Sequence, residues 1–183
     1  MRTFERLLEP ATFQHGYVTT RDAVEVDVPP VELRKLAHRG RLTNVMHGVY
    51  RVNAMPYTKN DELMRAVLWP GRERAVITHQ TALLLWELAD VSPTKIDIAV
   101  RGPHKPRRRG GEKYRVRVLR IDPADVDYVD NIPVVIPEIA IVQAAEAGAP
   151  RRFIEQAIRT ARKRELFGRE TEAAIRDKLG IIG

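Results

Sequence analysis

The sequence has no cysteine among its 183 residues. Disulfides and thiolate metal sites are therefore excluded, and a cytoplasmic location is the expectation. No apolar run approaches the ~20 residues needed to span a bilayer. The opening Met-Arg-Thr-Phe-Glu-Arg lacks the apolar core of a signal peptide, so no membrane partner is expected. Glycine-rich phosphate loops and serine-centred nucleophile elbows are also missing. The five histidines, at 15, 38, 47, 79 and 104, form no ligand pair at helical spacing. One faint catalytic pattern exists, because Asp97 with Glu112 and Lys113 suggests a metal-dependent nuclease core. Adjacent residues in a strand point to opposite faces, however, so Glu112 and Lys113 would not act together. The chain is read as no enzyme, with no cofactor and no metal.

What is present is charge, unevenly spread. The formal net charge is +7 and the pI about 10.0, a balance that suits a polyanionic partner. Residues 101–120 hold nine Lys or Arg against Glu112 alone, and 151–169 hold seven against two acids. Between them, 121–138 carries five acids and no base. A solvated surface would mix the signs more evenly.

The periodicity predicts a first helix through Phe4, Leu7, Leu8 and Ala11, which Pro10 would kink or divide. Thr19 or Thr20 would cap a short helix from Arg21 to Val26, with Ala23 and Val24 facing inward. Asp27-Val28 is a turn. Pro30 to Arg39 is a second helix, opened by proline and closed by Gly40. Its apolar stripe is Leu33, Leu36 and Ala37. Two strands follow, Leu42 to Val45 and Val49 to Val52, around Met46-His47-Gly48. Helix, turn, helix and hairpin is the layout of a winged helix-turn-helix, which places one helix in the DNA major groove and a hairpin beside it. This domain is taken as residues 1–55, with a linker over 54–59.

Residues 56–183 predict a mixed α/β domain. Helices are expected over Asn60 to Trp69, His79 to Leu88 (capped by Thr78), Pro137 to Ala147, Pro150 to about Leu166 and Glu170 to Leu179. Strands are expected at Ala75 to Ile77, Lys95 to Val100, Tyr114 to Ile121 and Ile132 to Ile136. Arg101 to Gly111 and Asp122 to Asn131 read as a basic and an acidic loop. The fold class is α+β.

The candidate DNA contacts follow from this layout. Arg34, Lys35 and His38 lie opposite the apolar stripe and would meet base edges or phosphates. Glu32 would either accept from a cytosine amino group or favour the helix dipole. Arg41, His47 and Arg51 belong to the hairpin, where phosphate contact is the expected role. Thr19, Thr20 and Arg21 stand at a helix start, where backbone amides hold phosphates. Lys105, Arg107, Arg108 and Arg109 form a basic loop. Nucleic acid, an acidic protein or no partner at all remain open for it.

At Gly40-Arg-Leu, Gly48-Val-Tyr, Thr78-His-Gln-Thr-Ala-Leu and Ile132-Pro-Val-Val-Ile-Pro the chain resembles the AbiEi-type antitoxins of type IV toxin–antitoxin systems. The likeness runs from about Phe13 to Ile175. Relatives begin the third motif with serine where Thr78 and Thr81 stand. In the fourth motif Ile136 and Ile139 replace their Thr or Ser and their Arg. The resemblance implies an N-terminal winged helix that binds inverted repeats of double-stranded DNA in its own promoter as an autorepressor. It implies a C-terminal antitoxin domain directed against a nucleotidyltransferase-like toxin, without a stable complex. Dimerisation on DNA is left open. A ligand-responsive repressor without a toxin, its second domain a sensor, is the alternative.

Overall fold

The computed structural model describes residues 3–71 and 75–181. It is a mixed α+β structure with two sheets. The first unit opens with α1 (Thr3–Phe13), which runs undivided across Pro10. Next come β1 (Tyr17–Thr19), α2 (Thr20–Glu25), α3 (Pro30–His38), β2 (Leu42–Met46) and β3 (Val49–Val52). Leu7, Ala11, Val18, Ala23, Val28, Leu33, Leu36, Leu42, Tyr50 and Val52 form its core. Ala23 is inside as expected, but Val24 is 58% exposed. A helix of six residues turns little of its surface inward, and Val28, just past the turn, fills the place instead.

The strand β1 was not expected from the sequence. It pairs antiparallel with β3, so the sheet order is β1-β3-β2 and β3 is central, not one half of a free hairpin. Side chains alternate across a strand. Val18, Tyr50 and Val52 therefore face the first core, whereas Tyr17 and Val49 join the core of the second unit. Every residue of β3 is buried for that reason.

The second unit contains α4 (Asp61–Leu68), β4 (Val76–Ile77), α5 (His79–Leu85), β5 (Ile96–Val100), β6 (Tyr114–Val118), β7 (Val126–Val129), β8 (Ile132–Val135), α6 (Pro137–Glu146), α7 (Arg151–Lys163) and α8 (Arg169–Lys178). Its sheet has the order β6-β5-β4-β8-β7. The β4–β8 and β5–β6 pairs are parallel, and β4–β5 and β7–β8 are antiparallel. The helix at Thr78 is shorter than expected. Glu87 takes φ 55°, and the Leu88 amide turns back to the Leu83 carbonyl. The segment expected as an acidic loop contains β7. Asp130 and Asn131 both have positive φ and form its two-residue hairpin turn with β8.

Polar contacts join the units. The Tyr17 hydroxyl donates to Asp61 at 2.6 Å. The His15 ring meets Thr58 Oγ1 at 2.5 Å and the Asp130 carbonyl at 2.7 Å. Burial is the largest cause that raises the Tyr17 phenol far above its ordinary pKa, followed by the hydrogen bond to Asp61. Among the described residues no helix is long and apolar enough to cross a membrane.

Candidate nucleic-acid interface

The start of α2 is built by its capping residue. Thr19 Oγ1 accepts from the Asp22 amide at 3.1 Å, while the Asp22 carboxylate accepts from the Thr19 amide at 2.7 Å. This reciprocal box satisfies two otherwise orphan donors. Gln14 Nε2 holds the same carboxylate at 2.7 Å. The Thr19 hydroxyl is thus committed to the helix. The Thr20 amide donates to the Gly48 carbonyl at 2.9 Å, which ties the start of α2 to the turn of the β2–β3 hairpin. Gly48 has φ 71°, and a Cβ there would come within 3.2 Å of Thr20 Oγ1. Arg21 is exposed and pairs with Glu25 at 2.9 Å.

Helix α3 buries Leu33 and Leu36 and exposes Arg34, Lys35 and His38. Glu32 has a definite partner, since Lys35 Nζ lies 2.7 Å from its carboxylate. Among the described residues Arg34 makes no side-chain hydrogen bond or ion pair, so its guanidinium fork is available.

In the hairpin, His47 is exposed at the turn, and the exposed Arg41 lies over the Phe4 ring at 3.9 Å. Arg51 departs from the expectation of a phosphate contact. It shares the face of β3 that carries Val49, and its side chain is 5% exposed. Its guanidinium donates to the Val52 and Met55 carbonyls at 3.0 and 2.8 Å, faces Asp61 at 4.0 Å, and lies 3.7 Å from the Tyr57 ring centroid. It braces the first unit against the second. The cause is β1, which makes β3 an inner strand.

The basic loop between β5 and β6 lies against the hairpin. Trp69 Nε1 donates to the Arg109 carbonyl at 2.9 Å. A Cβ on Gly111 would sit 2.5 Å from the Trp69 ring, so the loop passes close over the indole. Arg108 packs its guanidinium against Gly71, where a Cβ would displace it, and reaches the His47 carbonyl at 3.5 Å. Lys105, Arg107 and Arg109 are exposed. Two stretches that are remote in sequence, the hairpin turn and Arg107 to Arg109, therefore line one groove of about 560 Å³. Arg65 of α4 lines it too and was not anticipated. The available signal was spacing. Asp61, Arg65 and Trp69 fall four residues apart on one helix face, and Arg65 is the only base on α4.

The nuclease pattern does not assemble. Asp97 is 1% exposed, and its Oδ1 accepts from Arg117 at 2.7 Å and Arg115 at 3.3 Å. Lys113 lies instead 3.6 Å from Glu62. Among the described residues no three His, Asp or Glu side chains gather as a metal site. Thr78 precedes α5, but its side chain makes no capping bond. His79 is buried with φ 54°. Burial chiefly, with Arg117 adding to it, pushes its pKa down to about 4.

No curated protein matches the chain. Among solved structures, the RV2827C protein from Mycobacterium tuberculosis is similar with a TM-score of 0.49 and 16% sequence identity, over 97% of this chain and 77% of that chain. Residues 5–53, which hold α1 through β3, match the family described as transcriptional regulator, AbiEi antitoxin. That match covers the first unit, about a quarter of the chain, and the family it describes is one of transcriptional regulators.

Proposed function

We propose that residues 1–55 are a winged helix-turn-helix and that the chain is a DNA-binding autorepressor. Helix α3 is the reading helix, with Arg34, Lys35 and His38 toward base edges. Thr20, Arg21, Arg41 and His47 lie along the flanking backbone. Lys105, Arg107 and Arg109 extend the contact from the second unit, and Arg108 holds their loop to the hairpin. The observation that carries this reading is the continuous link from the α2 start to the hairpin turn to the basic loop, made by the Thr20–Gly48 and Arg108–His47 contacts. It joins the charge of 101–109 to the first unit. Phosphate contacts fix position and base contacts specify sequence, and this arrangement supplies both. Footprinting of the full chain on the region upstream of its own gene is the test. An inverted repeat, bound by two copies, is expected to be protected. Uniform coating with no preferred site contradicts the reading.

The finer part of the proposal is antitoxicity. Residues 56–183 act against a nucleotidyltransferase-like toxin of a type IV system, without a stable complex, in the cytoplasm. Support comes from the family match of the first unit and from the motifs at Thr78 and Ile132. The assay co-expresses the full chain with the toxin under a foreign promoter, which removes repression as an explanation. Rescue of growth is expected, and it is expected to survive Arg34→Ala. Failure of the full chain to rescue leaves a repressor alone.

A further inference from the structure

We propose that the groove between the hairpin and α4 is a phosphate-binding site, with Arg65 as its inner ligand and Arg107 and Arg109 as its outer ones. The proposal rests on the DNA-binding reading and adds a site to it. Four arginines (65, 107, 108 and 109) and the exposed His47 line this groove of about 560 Å³, and among the described residues no carboxylate does. Charges of one sign gathered in a concave site concentrate the field and draw a counter-ion.

Arg65 gives the site its chemistry. Asp61, one turn before it on α4, accepts from Tyr17 through Oδ2 at 2.6 Å, while its Oδ1 faces Arg51 at 4.0 Å and, among the described residues, makes no hydrogen bond. Arg65 Nε is buried and, among the described residues, has no hydrogen-bond partner. A buried donor left unmade is costly, and a charged one more so. Arg65 lines the groove, and its planar guanidinium fork suits a phosphate there. The surrounding walls are fixed beforehand. Trp69 holds the Arg109 carbonyl, and Arg108 is seated between Gly71 and the hairpin turn. Little ordering is needed when the anion arrives.

The shared chemistry is a phosphate oxyanion, and two sources provide it. One is the backbone of a duplex running past the hairpin, which we favour because the hairpin turn is itself one wall. The other is a free polyphosphate. The experiment uses the full chain, a labelled duplex of random sequence titrated at several salt concentrations, and inorganic tripolyphosphate in a thermal-shift assay. Arg65→Gln is expected to weaken duplex binding roughly tenfold and to flatten the slope of log K against log salt by about one. Arg65→Lys is expected to recover part of both. Arg107→Gln with Arg109→Gln is expected to flatten the slope further. A melting temperature raised by tripolyphosphate in the wild type but not in Arg65→Gln identifies a free phosphate as an occupant. The salt-slope change without that shift identifies DNA as the source. Wild-type affinity and slope in both variants, with no tripolyphosphate shift, overturns the site. The two readings separate cleanly. Lost discrimination in Arg34→Ala beside an unaffected Arg65→Gln removes the groove and keeps the reader. Tripolyphosphate binding without any duplex binding keeps the groove and removes the reader.

Discussion

Two arginine-bearing surfaces of this chain are built in opposite ways. On α3 the cations stand on a regular helix whose other face is held by Leu33 and Leu36. Each projects independently, and Lys35 is steadied only by Glu32 one turn back. In the groove the cations come from α4 and from a loop some forty residues later, and only tertiary contacts bring them together. A helix face offers separate, directional contacts, which suits discrimination among base edges. A crowded cationic concavity offers a field, which suits any phosphate. On the proposed function, the same residue type divides into reading and holding according to its support. Arg51 shows a third outcome. An inner strand turns it into an internal brace.

The largest effects break the comparison by removing one side of it. Leu33 is fully buried beneath the exposed cations of α3. Leu33→Ala is expected to cost roughly 2–5 kcal/mol and to abolish operator preference, with a urea melt as the check. Acid acts on the other unit. The folded-state pKa of His79 is lowered to about 4 from 6.5, so between those values the unfolded chain binds the extra proton. Its contribution is complete above pH 6.5, falls as pH drops through that window, and is gone below about 4. The loss is on the order of 3 kcal/mol. His79→Asn, which tolerates the left-handed backbone, is expected to flatten the decline of the urea midpoint over that range.

Smaller effects sharpen the comparison. Arg34→Ala is expected to cost roughly 1–3 kcal/mol of discrimination between operator and random DNA. Lys35→Ala is expected to cost less, because Glu32 already engages that ammonium. Competition binding with both duplexes measures the two together. Tyr17→Phe removes one buried bond to Asp61 across the units. It is expected to lower stability by roughly 1.5–3 kcal/mol and operator discrimination hardly at all, which a urea melt paired with the same competition assay tests.

Regular elements were legible because each carries its own local signal. Pro30 and the Leu33–Leu36 stripe marked α3 within one residue, and the α6, α7 and α8 helices lay where proline and apolar spacing put them. The α+β class followed. Less legible was anything decided by pairing. The three residues of β1 are too few to show alternation, yet their pairing with β3 buried Arg51. At β7 the four residues Val126 to Val129 show no clean alternation and lie among a high density of acids. Of the candidate interface, the exposed cations of α3, the hairpin turn and the basic loop were readable as types at positions. That Arg107 to Arg109 lie against His47, with Arg65 beneath them, depends on contacts across more than forty residues, and no local pattern encodes those.

The most direct measurement compares wild type, Arg34→Ala and the Arg107→Gln, Arg109→Gln double variant on operator and random duplexes across a salt series. The account predicts that Arg34→Ala narrows the gap between the two duplexes. It predicts that the double variant weakens both equally and flattens their salt dependence by about two. Equal loss of preference in the two variants, or a salt slope unchanged by the double variant, would contradict the division between a reading helix and a phosphate-holding groove.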